Sequence, residues 1–431
     1  MIISGGVSFS GVTFTTSTAV PSAPTITSVT TGSKGSGQIT VAYTAPSYTG
    51  YPAGITGYTA FSRPGCITVS TTSAISGVFT FTGLTNGTPY QFKIYATNSQ
   101  GAGAFGYYCI PRTIGLPEYT VCALIVAGGG GGGSSINCSC PGGGGGGAGG
   151  VIKTCVSIAI GITYPIIVGG GGGAGGAGSF STSGTNSTAL GVTAIGGGAG
   201  GGRFRLAGCG GSGGGDSTDI GRIPCRCGAP GVVGQGYPGG GHVAFAGGGG
   251  GGGASSHGGY GGVYSIYCCG LHSILWYGGA GGTGATSTII STTTAIALSI
   301  GQYVTATNSV YFAGGGGGGG VQICYRIIRA AGGLGGGGRG ATRVCTPKFQ
   351  YCSTNSNSGG YGMPNTGGGG GSGSEFRCPG PLHAGAGGSG VVIISYTSST
   401  QRATGGVVTS WSCAGNTKWA HIFTASGTFI S

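Results

Sequence analysis

The chain has 431 residues, of which 112 are Gly, 17 are Lys or Arg and 4 are Asp or Glu. Glycine is far above, and charge far below, the usual frequencies in globular proteins. Four acidic residues are too few to make catalysis by paired carboxylates or an all-oxygen calcium site an obvious expectation. The Gly residues come in unbroken runs, which excludes collagen, where Gly occupies every third position.

The first 115 residues contain only 17 of the glycines and alternate apolar with polar residues in short runs. Such runs at 26–29, 39–43, 55–58 and 79–81, separated by Gly, Pro and Ser, predict β-strands. A turn then precedes a further strand in which Tyr90, Phe92 and Ile94 share a face. Strands at this spacing over about 90 residues predict a β-sandwich.

This sandwich segment resembles a fibronectin type III domain over residues 21–114. The residues that carry the resemblance are Pro24-x-Ile26, the Gly83–Tyr90 run G-L-x-N-G-T-x-Y, and Ala96-Thr97-Asn98-Ser99-x-Gly101. The resemblance implies that Tyr90 is the tyrosine-corner residue. Tyr43 stands where the family usually has Trp. Residues 1–20 are predicted to be an N-terminal strand or attachment segment.

The middle of the chain, residues 128–390, contains 91 glycines in tracts such as 128–133, 142–147, 247–253 and 314–320. No tract ends in Gly-Lys-Ser or Gly-Lys-Thr and no βαβ unit follows one, so nucleotide binding is not expected. The tracts are either flexible linkers or extended helices with three residues per turn that hydrogen-bond to one another. We favour the helices, because linkers would leave the apolar segments between them unable to meet.

Two kinds of segment separate the tracts. Apolar segments such as 121–127, 151–168 and 289–312 are predicted to be strands. Segments 260–277, 321–329 and 343–361 are predicted to be irregular loops rich in Cys, Arg and aromatic residues.

Over residues 118–397 the chain resembles the glycine-rich domain of tailed-phage tail-fibre and adhesin proteins. The carrying features, in order, are 121–127 running into 128–133, 142–150 followed by Val151, 163–173, 193–196 and 386–396. The resemblance implies a polyglycine II sandwich whose connecting loops form a variable tip that meets the host surface.

Aromatic and Arg side chains in these loops are the candidate receptor contacts, because aromatic faces stack on sugars and guanidinium groups bind phosphates. The alternative is that they cap the bundle ends or pack between subunits. The candidates are Tyr260, Tyr264, Tyr267, Trp276, Tyr277, Arg203, Arg205, Arg326 and Arg329.

Residues 398–431 return to alternating β sequence. Their run containing His421, Ile422, Phe423 and Phe429 looks like the strand that usually enters the glycine-rich domain. It is therefore either a circularly permuted partner or an inter-subunit strand donated to a neighbour. A plain terminal β-hairpin is the alternative.

The chain has 16 Cys and 5 His but no C-x-x-C pair. Zinc ribbons need two such pairs, so no metal site is expected. Disulfides between loops and free, buried, apolar-like thiols both remain open.

The sequence thus predicts an all-β chain: a fibronectin type III β-sandwich, a polyglycine II bundle flanked by short strands, and a C-terminal β-hairpin. No catalytic residues and no cofactors are expected. The net charge of +13 is spread without a basic run, so nucleic acid is not an expected partner. No apolar window is long enough for membrane insertion, and the N-terminus lacks a secretion signal.

The function expected is that of a non-enzymatic virion structural protein, a phage tail-fibre or adhesin subunit that attaches to the host surface. Its partners would be further copies of itself, other virion proteins and a host glycan or protein. It would be assembled in the host cytoplasm and located in the virion. The alternative is an architectural subunit, such as a head decoration, a neck appendage or an extracellular filament, without receptor binding.

Overall fold

The computed structural model describes two compact units, one ending at Tyr119 and the other spanning Thr120–Ser431. The residues that it describes are 19–51, 54–135, 142–176, 179–202, 205–217, 225–243, 247–268, 271–323, 329–345, 358–373, 383–413 and 415–431. The predicted N-terminal segment 1–20 lies almost wholly outside them.

The first unit is a β-sandwich, as predicted. One sheet has the order β1-β2-β5 and the other the order β4-β3-β6-β7, with β8 also paired to β6. The strands are β1 Thr25–Thr31, β2 Ile39–Thr44, β3 Gly57–Arg63, β4 Thr68–Thr71, β5 Gly77–Phe81, β6 Pro89–Asn98, β7 Gly101–Ala102 and β8 Gly106–Thr113.

Aromatic residues fill the sandwich core at the positions that the sequence indicates. Tyr43 is 3% exposed, and its ring centroid lies 5.0 Å from that of Phe79 and 4.7 Å from that of Tyr58. Burial raises the pKa of Tyr43 and Tyr58. The Tyr90 hydroxyl accepts a hydrogen bond from the Thr85 amide at 3.0 Å, so the implied tyrosine corner is present.

The second unit is built around glycine helices, of which 128–133 shows the plan. The amides of Gly130 and Gly133 donate to the carbonyls of Gly147 and Gly144 at 2.8 and 2.9 Å. The other amides of this helix donate to two further neighbouring helices, and the residues that bond to one neighbour are again three apart. The carbonyls of the 128–133 helix accept hydrogen bonds from the amides of three more neighbouring helices. In order around it, the six neighbours are 182–185, 172–175, 385–388, 370–373, 144–147 and 197–200. Three residues per turn without internal hydrogen bonds is polyglycine II geometry.

The 143–150 helix is surrounded by six neighbours in the same way, and backbone atoms meet backbone atoms throughout. A Cβ on Gly146 would lie 2.1 Å from the Gly130 carbonyl oxygen and 2.7 Å from its carbon. A side chain at position 146 therefore has no room, and glycine is required there by the close approach of the neighbouring helix.

Threonine side chains close part of the bundle perimeter, where a helix lacks a full set of neighbours. The exposed amides of Gly170 and Gly173 donate to Thr185 Oγ1 and Thr182 Oγ1, both at 2.7 Å. These hydroxyls take the place of a missing carbonyl, so the perimeter amides are satisfied by the chain itself.

Short strands flank the bundle. The largest sheet has the order β10-β9-β23-β25-β24, and smaller sheets pair β11 with β26 and β12 with β13. The strands of the second unit are β9 Glu118–Val126, β10 Val151–Ala159, β11 Thr163–Ile166, β12 Ser187–Ala189, β13 Val192–Ala194, β14 Cys225–Arg226, β15 His242–Val243, β16 Gly262–Cys268, β17 Leu271–Tyr277, β18 Ala285–Thr286, β19 Gln302–Val304, β20 Ser309–Phe312, β21 Gly320–Ile323, β22 Thr342–Cys345, β23 Val391–Thr397, β24 Val407–Cys413, β25 Asn416–Phe423 and β26 Gly427–Ile430.

A conventional apolar core covers one end of the bundle. Leu124, Ile393 and Ile422 of the five-stranded sheet cluster with Phe312 and with Ala148 of the 143–150 helix, all nearly fully buried. We call this the base end. It joins the glycine helices to side-chain packing of the ordinary kind.

The prediction of a strand over 289–312 is confirmed for 302–304 and 309–312 and was wrong for the rest of the segment. This segment forms a helix, α1 Thr292–Ala297, followed by β19, a 3-10 turn and β20. Ser291 caps α1, its Oγ accepting a hydrogen bond from the Thr294 amide at 3.1 Å. The cap and tertiary packing outweigh the low helix propensity of the Thr-rich run. Among the described residues, no helix is long and apolar enough to cross a membrane.

The C-terminal segment pairs within its own chain. β24 and β25 form the predicted hairpin, and β25 also pairs with β23, placing Ile422 opposite Ile393. β26 pairs with β11, where Phe429 lies opposite Tyr164 and is fully buried. The four residues of the predicted inter-subunit strand, His421, Ile422, Phe423 and Phe429, are thus buried against residues of the same chain.

The described cysteines include a disulfide and free thiols, but the disulfide joins strands and the thiols are exposed rather than buried as expected. Cys122 and Cys155 form a disulfide that joins the adjacent strands β9 and β10 rather than two loops. Free, exposed thiols occur at Cys66, Cys109, Cys209, Cys227 and Cys413.

Candidate functional site

Several glycine helices end together at the side of the bundle opposite the base. Gly133 donates to Gly144, Gly144 to Gly201, and Gly201 to Gly215, so these four residues lie at one level. Each of them begins or ends a helix next to an inter-tract segment. We call this the loop end. The register of the backbone bonds, not the contacts of side chains, brings these distant segments together.

A four-stranded sheet continues the helices at the loop end, in the order β16-β17-β21-β22. β16 follows the 258–261 helix, and β17 returns into 278–282. β21 and β22 pair in parallel because both leave helices that run toward the loop end. The prediction of irregular loops at 260–277, 321–329 and 343–361 was therefore wrong where these strands form.

The β16–β17 hairpin carries four of the predicted aromatic contacts, and a fifth directly precedes it. Tyr260 is 60% exposed in the 258–261 helix, whereas Trp276 and Tyr277 are half-buried. Tyr264 lies opposite Leu275 in the register, and Tyr267 opposite His272. The sequence did not predict the hairpin that brings these positions together in the register, and their role as receptor contacts stays a prediction.

The predicted arginine contacts differ in their surroundings. Arg205 donates from Nη1 to the Ser181 carbonyl at 3.1 Å, and its guanidinium carbon lies 5.6 Å from the Phe180 ring centroid. Arg205 therefore holds the 181–187 segment as well as facing solvent. Arg329 is exposed at the start of the 330–334 segment. Arg203 and Arg326 lie outside the described residues.

Sequence reasoning missed a buried acid–base pair at the loop end. The side chains of Asp216 and His242 are 2% and 4% exposed. The Oδ2 atom of Asp216 lies 3.4 Å from the Nδ1 atom of His242. Neither carboxylate oxygen has a hydrogen-bond partner among the residues that the structure describes. Asp216 is one of only four acidic residues in the chain, and that scarcity was the signal available. This contact joins the helices that end at 217 and 241.

Within the part of the chain that the structure describes, no three His, Cys, Asp or Glu residues form a metal-binding group. The described exposed residues near the loop end include Tyr260, Arg205 and Arg329. This chemistry suits adhesion to polar surfaces, in which rings pack on sugar faces and guanidinium groups bind anions.

Comparison with known families agrees with the division into two units. A family model for a glycine-rich domain matches residues 103–397, and one for the fibronectin type III domain matches residues 22–108. No curated protein matches the chain.

Proposed function

Since the chain belongs to the glycine-rich domain family and carries a fibronectin type III domain before that region, we propose that it is a non-enzymatic virion structural protein. In this proposal it is a subunit of a phage tail fibre or adhesin. The loop end attaches to the host surface, and the glycine bundle holds it in place.

The observation that carries the proposal is the common level of the helix ends. Segments far apart in sequence leave the bundle at one end, as the bonds from Gly133 through Gly144 and Gly201 to Gly215 illustrate. A surface made of many short segments on a rigid scaffold tolerates change in each segment without loss of the fold. This arrangement suits a protein whose receptor changes.

The scaffold is rigid for a physical reason. Each interior helix bonds to six neighbours, so bending one helix breaks bonds to several others. Satisfied backbone groups buried in a low-dielectric interior are costly to separate. Attachment transmits force, and such a lattice resists it.

Further copies of the chain and other virion proteins are the proposed structural partners, and a host glycan or protein is the proposed receptor. The location proposed is the virion, after assembly in the host cytoplasm. The C-terminal strands close the sheet within one chain, and their donation between subunits would require the same pairing, such as Ile422 with Ile393, across two chains.

The experiment is binding of the fluorescently labelled chain to a panel of bacterial cells. One variant replaces residues 264–275 with a short Asn-Gly turn, which removes most of the β16–β17 hairpin. The matched control carries Val232→Ser and Val233→Ser in an exposed turn at the opposite end of the bundle. The proposal predicts that the control binds like the original chain and that the hairpin variant loses binding with an unchanged far-ultraviolet spectrum.

Equal cell binding by the hairpin variant and the original chain would instead favour a purely architectural subunit. So would a complete lack of binding to any strain in the panel together with incorporation of the chain into purified particles.

A further inference from the structure

The outer face of the larger sandwich sheet carries a row of aromatic and cationic residues that the loop-end proposal does not use. Phe61, Lys93 and Tyr107 lie directly opposite one another across β3, β6 and β8. The neighbours of Phe61 and Lys93 along their strands, Ala60 and Ile94, belong to the core and are buried. Alternation along the strand therefore places the row on the outside of the sheet.

Four aromatic rings on this face form one connected group. Phe105 lies at its centre, with ring centroids 6.1 Å from Phe61, 5.3 Å from Tyr95 and 6.0 Å from Tyr107. Tyr107 is 64% exposed, and the other three are half-buried. An exposed aromatic group of this size is unusual on a surface that binds nothing.

The same face is positive and holds no acid. The ammonium of Lys93 lies 4.1 Å from the Phe105 centroid and 5.3 Å from that of Phe61, and Arg63 is exposed two residues further along β3. Glu118 is the single acidic residue in positions 1–119, and it pairs with Lys34 at 2.7 Å. Among the described residues, no carboxylate compensates Lys93 or Arg63.

We propose that this face, made by Arg63, Phe61, Lys93, Tyr95, Phe105 and Tyr107, binds an acidic polysaccharide. Aromatic rings pack against the C–H faces of sugar rings, while the two cations pair with carboxylate or sulfate groups on the same polymer. The exposed polar side chains of Gln91 and Ser70 lie on the same sheet and add hydrogen-bonding groups.

The ring geometry favours a sugar polymer over single-stranded nucleic acid. Contacting rings are inclined to one another by 34° to 81°, so they form no parallel platform for consecutive bases. Positive charge without any acid on the face favours an anionic polymer over a neutral one.

The test measures binding of the full chain to polygalacturonate and to neutral dextran of similar length, in about 0.15 M salt so that diffuse attraction is screened. Two variants remove the proposed contacts: Tyr107→Ala, and the double variant Arg63→Gln with Lys93→Gln. Their matched controls are Tyr48→Ala, another exposed Tyr of the same unit, and Arg339→Gln with Lys418→Gln, which removes the same charge elsewhere.

The proposal predicts polygalacturonate binding without dextran binding, with each face variant about tenfold or more weaker and each control unchanged. Equal weakening by the two charge variants would overturn it, because attraction would then depend on net charge alone. Retention of affinity by Tyr107→Ala, absence of polygalacturonate binding, or tighter binding of oligo-dT through the same residues would overturn it as well. The face variants lie in the first unit and leave the loop end of the second unchanged, so failure here leaves the proposed function standing.

Discussion

The carbonyl oxygen of Gly130 lies where a side chain of Gly146 would have to begin: a Cβ on Gly146 would be 2.1 Å from it. The two helices to which these residues belong are bonded to each other, Gly130 donating to Gly147 at 2.8 Å. The 143–150 helix is bonded to neighbours on all six sides, so the direction in which a Cβ of Gly146 would point is already occupied by another backbone. From this relationship the first prediction follows.

Gly146→Ala is expected to destabilise the second unit by about 2 kcal/mol or more, because the lattice must open around the added carbon. The matched control is Gly170→Ala, on the perimeter, where the nearest atom is Thr185 Oγ1 at 3.9 Å. The control should be neutral or slightly stabilising, since alanine restricts the unfolded chain. Thermal unfolding of both variants measures the difference, and equal melting temperatures would contradict a packed interior.

The Cys122–Cys155 disulfide closes a loop with a sequence separation of 33 residues. Loop-closure entropy predicts that its removal by Cys122→Ala and Cys155→Ala costs about 3–4 kcal/mol. Reducing agent should lower the melting temperature of the original chain and leave that of the double variant unchanged. A response of the double variant to reductant would assign the effect to another bond.

His421 is held as a neutral imidazole in the buried C-terminal sheet. Its Nδ1 lies 2.8 Å from the Gly405 carbonyl and therefore donates, and its Nε2 lies 3.2 Å from the Tyr396 hydroxyl. That hydroxyl already accepts from the amides of Arg402 and Ala403, so its proton is directed to Nε2. Burial lowers the pKa of His421 below its usual 6.5, although the bond to Gly405 opposes the shift.

A lowered pKa in the folded state means that the unfolded chain binds more protons at acidic pH. The contribution of His421 is therefore fully present above about pH 6.5 and is lost as the pH falls below that value. In denaturant unfolding between pH 7.5 and 5, His421→Gln should flatten the loss of stability relative to the original chain. His257→Gln, at an exposed histidine, is the control and should leave the slope intact. Identical slopes in all three proteins would exclude His421 as the titrating group.

The tyrosine corner of the first unit gives a smaller effect. Tyr90→Phe removes the acceptor of the Thr85 amide and should cost about 1 kcal/mol. Tyr48→Phe, at an exposed tyrosine of the same unit, should cost nothing measurable. Chemical denaturation of the first-unit transition distinguishes the two, and a neutral Tyr90→Phe would indicate that water replaces the lost bond.

Much of the fold was readable from the sequence because side chains encode it. Alternation placed the sandwich strands, and the Gly83–Tyr90 run placed the corner. The neighbours of each glycine helix were not readable, since tracts without side chains carry no information on which tract they contact. The helix at Thr292–Ala297 was missed because β-branched residues favour strands locally. The Asp216–His242 pair was missed because its residues meet only through the bundle register.

Amide hydrogen exchange on the glycine tracts tests most directly whether glycine forms the core of this protein. A bonded lattice predicts that the amides of Gly130 and Gly146, which donate to Gly147 and Gly370, exchange only on global unfolding, as slowly as those of the buried strand β23. Flexible linkers would exchange at the rate of an unfolded peptide. Rapid exchange at these two positions, with β23 protected, would contradict the account.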